Sequence, residues 1–294
     1  EQESILYSEI VTTGQYSPTL STNSIIKVEV LDKDYIATKG ANNLRDLLTQ
    51  EGSININQDS QLGSSISING LGGENVKILV DGIPIIGRTN GNIDLSQLSL
   101  TKIDRVEIVK GPMSTLYGTD ALGGVINLIS KKESENNISV NGTGAYESVG
   151  KYNFDLGLET GIDETYFNFN FGRHFFGGYS PQKNTRSKLW KPKEQYFGDF
   201  DLKSNLYGFD IRYKLSYFNE LLISKGELIA PYNEGAYDNK YKTNRLNNAI
   251  FITKQFENNK SFDFSIAYSD YKRSRNTYYK NLVTLEELLT GDAD

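Results

Sequence analysis

The chain has 294 residues, a formal net charge of −6, 37% hydrophobic residues and no cysteine. The missing cysteines exclude disulfides and thiolate metal sites. No run approaches the roughly 18 apolar residues of a helical membrane span, and an acidic balance without a basic helix argues against a nucleic-acid partner. With 19 Tyr, 14 Phe and 27 Gly, the composition predicts many strands joined by tight turns. The chain opens at Glu1-Gln2 with no initiator methionine and no leader-like segment, which sets the expectation of an exported chain after leader removal.

Residues 1–24 are polar and irregular except for Ser8 to Gly14 (SEIVTTG), a short β-prone run. On its residues alone this run is either an ordinary edge strand or a segment that adds to a partner's sheet edge through main-chain hydrogen bonds. Ile25 to Leu31 alternates and predicts a strand. Within Asn42 to Thr49, Leu44, Leu47 and Leu48 fall at helical spacing. Ser64 to Asn69 and Val76 to Val80 predict two more strands. The glycines at 70, 72 and 73 between them open no helix, so a turn explains them better than a dinucleotide-binding loop. Asp81-Gly82 ends the second strand as a turn. Asn57 to Ser64 and Ile86 to Asn92 are polar, glycine-containing loops.

Ile103 to Lys131 organises the chain. Val106 and Ile108 alternate with Arg105 and Glu107, so this strand carries its charges on one face and its aliphatics on the other. Gly111-Pro112 stops it, Met113 to Tyr117 suits one helical turn, and Val125 to Ile129 resumes as a strand. After Lys132 the pattern changes. Seven long strands are predicted at about 138–147, 150–161, 165–176, 195–204, 208–219, 244–255 and 261–273. Phe154/Leu156/Leu158, Phe167/Phe169/Phe171 and Phe262/Phe264/Ile266 alternate with polar residues, as a transmembrane barrel requires; a soluble β-sandwich alternates in a similar way. Short turns follow the second, fourth and sixth strands, and long loops (177–194 and 220–243) follow the third and fifth. That asymmetry favours the barrel.

The stretch RVEIVKGPMSTLYGTDALGGVINLISKK closely resembles the end of the plug domain of TonB-dependent outer-membrane receptors, matching at Arg105, Glu107, Gly111, Pro112, Ser114, Tyr117, Gly118, Ala121, Gly123 to Asn127 and Lys131. Ile66 to Gly70 and Val76 to Pro84 resemble the plug as well, with Asn69 where the family usually has Arg. The resemblance implies an N-terminal segment at 1–24, an α+β plug at 25–132, and at 133–294 the first antiparallel strands of a transmembrane barrel. Family barrels have about 22 strands, so the chain is expected to be an N-terminal fragment. SEIVTTG then resembles a Ton box, with Glu9, Ile10, Val11, Thr12 and Thr13 contacting TonB. Its early position implies no extra signalling domain. Arg105 and Glu107 are implied plug–barrel contacts. Gln61, Arg88, Thr89 and Asn90 are implied ligand contacts on the plug loops.

The loop from Gly177 to Glu194 is rich in Lys and Arg, with Tyr179 and Trp190 among them. It reads as a solvated extracellular loop or as a capture surface for an anionic chelate, its aromatics serving for stacking. His174, the lone histidine, fits a structural role better than haem ligation. No G-x-S-x-G elbow and no second imidazole support hydrolytic chemistry, so no catalytic residue, metal site or resident cofactor is expected. The reading is an outer-membrane importer of a ferric siderophore, cobalamin or haem, with the TonB complex and membrane lipid as partners. The alternative is a non-transporting adhesin or structural barrel.

Overall fold

The computed structural model describes residues 10–15, 19–59, 63–87, 93–131, 138–182, 185–257 and 260–293, and divides into two units, residues 1–132 and 133–294. In the first unit, β1 (Ile10–Val11) pairs with β2 (Thr19–Leu20). β3 (Val28–Asp32) runs straight into α1 (Lys33–Thr38), because the Asp32 carboxylate caps it by accepting from the Tyr35 N–H at 2.7 Å. α2 (Leu44–Leu48) starts in the same way at Asn43, whose side-chain oxygen accepts from the Asp46 N–H at 3.0 Å. Its leucines at 44, 47 and 48 are fully buried, as their spacing predicts. α1 carries one buried residue, Ile36, and shows no such period.

β4 (Ile54–Asp59), β5 (Gly63–Ile68) and β6 (Leu71–Gly72) form a small antiparallel sheet. The β5–β6 turn is Asn69-Gly70, both at positive φ (52° and 80°). Asn tolerates that left-handed backbone better than most residues, which accounts for an Asn at this position. β7 (Val76–Val80), β8 (Ile83–Pro84), β9 (Ile103–Lys110), α3 (Ser114–Tyr117) and β10 (Gly124–Ser130) complete the unit. The main sheet has the order β3-β9-β10-β7-β8, with β10 antiparallel to β9 and parallel to β7. One face, with Val106, Ile108, Ile126 and Leu128, packs on the α2 leucines and Ile68 in the larger core. The other presents Leu79, Val109 and Val125 to Met113 and Ala121 in a smaller core. The alternation of Arg105 and Glu107 with Val106 and Ile108 therefore appears as two distinct faces.

The second unit is one antiparallel sheet of eight strands in sequence order. They are β11 (Ser139–Glu147), β12 (Lys151–Ile162), β13 (Thr165–Phe176), β14 (Lys193–Leu206), β15 (Phe209–Leu228), β16 (Gly235–Phe256), β17 (Lys260–Asn281) and β18 (Glu287–Ala293). Among the described residues its first and last strands, β11 and β18, are not paired with each other. Two expectations are corrected. Among the described residues there are eight strands rather than about seven, and the predicted loop 220–243 is mostly strand, with a connection at 229–234. Beyond the apolar band the strands continue with polar and apolar residues mixed on both faces, so clean hydrophobic alternation ends long before the ladder does.

Register sorts the side chains. Phe154, Leu156, Phe169, Phe171, Tyr217, Ile250, Phe264 and Ile266 share one exposed face and form an apolar band across it. The other face carries polar rungs that cross the strands in register. Asn153, His174, Gln195, Glu220 and Thr243 form one such rung, and all are buried. A sandwich would cover its apolar face with a second sheet; these aromatics face outward instead. Among the described residues no helix is long and apolar enough to cross a membrane.

Candidate functional site

The N-terminal segment is seated on the smaller-core face of the main sheet of its own unit. β9 and β10 place Glu107 directly opposite Asn127, so these two polar side chains stand together on a surface otherwise lined by Val109, Val125 and Leu79. Glu107 is 0% exposed. Its Oε1 accepts from Arg105 Nε at 2.9 Å. Its Oε2 accepts from the Thr12 N–H at 3.0 Å, Thr12 Oγ1 at 3.1 Å, the Thr13 N–H at 2.7 Å and Thr13 Oγ1 at 2.6 Å. Asn127 Nδ2 donates to Thr13 Oγ1 at 3.0 Å, and Asn127 Oδ1 accepts from the Gly82 N–H. The Gly14 N–H donates to the Tyr117 hydroxyl at 3.1 Å. Val11 is buried and Ile10 is half exposed.

This arrangement answers the cost of burying a carboxylate, which is tolerable only when its oxygens are paired and hydrogen-bonded. Arg105 pairs with one oxygen, and among the described residues the other is held by Thr12 and Thr13 of the N-terminal segment. Thr12 and Thr13 are therefore gathered at one point with Arg105 and Glu107. Sequence reasoning placed the two pairs in different roles, because about 95 positions separate them. Asn127 and Tyr117 lie in the recognised motif, yet nothing local marks them as partners of residue 13 or 14. Glu9 lies outside the described residues.

Gln61, Arg88, Thr89 and Asn90 also lie outside the described residues. The C-terminal end of the first loop meets the residues that follow the second: the Ser64 hydroxyl accepts from the Leu95 N–H at 3.0 Å, and Gly63 packs tightly against Asp94. In the second unit, Tyr179 and Trp190 form a two-way backbone bridge, each N–H donating to the other's carbonyl at 2.9 Å. Their side chains are 44% and 42% exposed. Arg186 pins the loop from below. It donates from two nitrogens to the Asp238 carboxylate, at 2.5 and 2.6 Å, and to the Gly226 carbonyl at 2.8 Å. That clasp had no signal in the sequence beyond the basic character of the loop. His174 Nε2 lies 3.0–3.1 Å from both Asp155 oxygens, and its ring packs on Phe197 at 4.8 Å. The Nε2 nitrogen is thus engaged by the Asp155 carboxylate.

Residues 21–125 match the model of the TonB-dependent receptor plug domain. The vitamin B12 transporter BtuB of Vibrio cholerae is 30% identical over 156 residues, 52% of this chain and 25% of that protein. Among solved structures, the ferric yersiniabactin uptake receptor FyuA of Yersinia pestis has a TM-score of 0.57 at 14% identity, covering 88% of this chain and 50% of that one. The ferripyoverdine receptor of Pseudomonas aeruginosa has a TM-score of 0.56 at 14% identity, covering 92% and 45%. At such identity these structures speak for the fold. The chain spans about a quarter of the length of the curated relative and about half of each solved chain.

Proposed function

Because this chain belongs to the TonB-dependent receptors of the outer membrane, we propose that it takes part in energy-coupled import of a ligand too bulky for a porin. The ligand class is a ferric siderophore, cobalamin or haem. The relatives' names, a vitamin B12 transporter and uptake receptors for ferric chelates, support that class. The observation that carries the reading is the seat of residues 10–14: a short segment, extended at Ile10–Val11 and turning at Thr13–Gly14, held on the plug-type sheet by side chains, with Ile10 half exposed. A partner that adds a strand needs such a segment, and TonB is that partner. Tyr179, Trp190 and the plug-loop residues Gln61, Arg88, Thr89 and Asn90 meet the ligand.

The test is binding by the full-length receptor, in detergent, against a panel of ferric siderophores, cobalamin and haem. Tight binding of one member, weakened about tenfold or more by Trp190→Ala or Arg88→Ala, supports import of that cargo. Binding of none overturns the reading in favour of an adhesin or structural barrel.

A further inference from the structure

We infer that Glu107 is the latch that holds the coupling segment on the plug-type sheet and withholds it from a strand-adding partner. This rests on the reading of residues 10–14 as that segment. The inference turns on which donors are occupied. Strand addition works through main-chain N–H and C=O groups. The N–H groups of Thr12 and Thr13 are bound to Glu107, and that of Gly14 to Tyr117. A partner strand takes alternate main-chain N–H groups along one edge, so it needs at least one of these held donors, and seating and strand addition compete.

The carboxylate sets the strength of the seat. Among the described residues the four donors to Oε2 come from Thr12 and Thr13, while Arg105 donates to Oε1. When the segment leaves, one oxygen of a fully buried carboxylate loses every one of these donors, and water must reach a site from which it was excluded. Hydrogen bonds to a charged acceptor are roughly twice as strong as neutral ones. Asn127 and Tyr117 assist, but each makes one neutral contact with the segment. Glu107→Gln keeps the shape of the side chain, removes the charge and turns an amide donor toward groups that are themselves donors.

The experiment uses the full-length receptor in detergent with a single cysteine at Val11→Cys, a position buried at 0% exposure. Maleimide labelling reports release of the segment. A second reporter, Val125→Cys in β10 at 0% exposure, reports loosening of the sheet itself. Glu107→Gln is expected to speed labelling at position 11 at least tenfold, and Thr12→Val with Thr13→Val at least threefold, with position 125 unlabelled throughout. Purified TonB is expected to bind the Glu107→Gln receptor about tenfold more tightly. Labelling at position 11 within twofold of the parent overturns the latch, as does equal labelling at position 125. Faster labelling with unchanged TonB affinity overturns the competition. TonB binding by neither form, with faster labelling retained, overturns the coupling reading and leaves the latch standing.

Discussion

Gly111 and Gly124 flank the helical turn between β9 and β10, and comparing their alanine variants separates two costs that usually come together. Both have positive φ, 140° and 148°, so either Ala pays for a backbone conformation that side chains avoid, about 1–3 kcal/mol. At Gly111 an added Cβ meets nothing within 4 Å. At Gly124 it would lie 2.4 Å from the Val109 carbonyl oxygen, a backbone atom, and 3.3 Å from Ile68 Cδ1. The chain must shift by roughly an ångström there, and Gly124 is paired on both sides, with Lys110 and with Val76. Opening those pairs adds about 1–3 kcal/mol of unmet hydrogen bonding. Gly111→Ala is therefore expected to cost about 1–2 kcal/mol and Gly124→Ala about 3–5 kcal/mol. Hydrogen exchange read by mass spectrometry on peptides spanning 103–131 of the full-length receptor measures this. At tenfold per about 1.4 kcal/mol, protection falls about tenfold in the first variant and more than a hundredfold in the second. Equal losses would show that the close approach at Gly124 relaxes freely, and would refute the reasoning.

Leu47→Ala empties a fully buried position of α2 and is expected to cost about 2–5 kcal/mol, seen as exchange throughout α2 and the larger core. Phe169→Lys puts a charge in the middle of the exposed apolar band and breaks the ring pair with Phe200 at 4.9 Å; a loss of about 2–4 kcal/mol in refolding into lipid is expected. Glu287 pairs with Lys240 first and Lys280 second, at the ends of β16 and β17 and well above the roughly ten-residue band that crosses a membrane; these hydrogen bonds hold its pKa down to about 2. A depressed carboxylate stabilises above its unfolded pKa and loses that contribution as pH falls. Protection at the β17–β18 end is therefore expected to drop between about pH 4.5 and pH 2, and Glu287→Gln to remove that dependence.

Legibility tracked the range of the interactions. β9, the turn at Ser114–Tyr117 and β10 were readable because alternation, a proline stop and glycines act within a few residues. The apolar band was readable because lipid demands it of every strand. α1 was not, since capping by Asp32 and a single buried Ile36 leave no periodic trace. The distal halves of β15 to β17 were missed because polar and apolar residues mix on both faces there, as in Glu220 to Leu228, and leave no clean alternation. The site divides along the same line. The Thr-Thr pair and Arg105/Glu107 each stood out, but their meeting depends on tertiary folding across about 95 positions.

The strand order of the main sheet sets the path of a mechanical load. Covalently, a pull on residues 10–14 passes along the chain to β3 before any other strand of that sheet. β3 is an edge strand, bonded to β9 alone through the five pairs from Val28–Val109 to Asp32–Arg105. β9 and β10 are each gripped on both sides. Tension can thus peel one strand from the border while the parallel β10–β7 seam keeps its bonds. The topology places a tear line at the margin of the sheet and spares its middle.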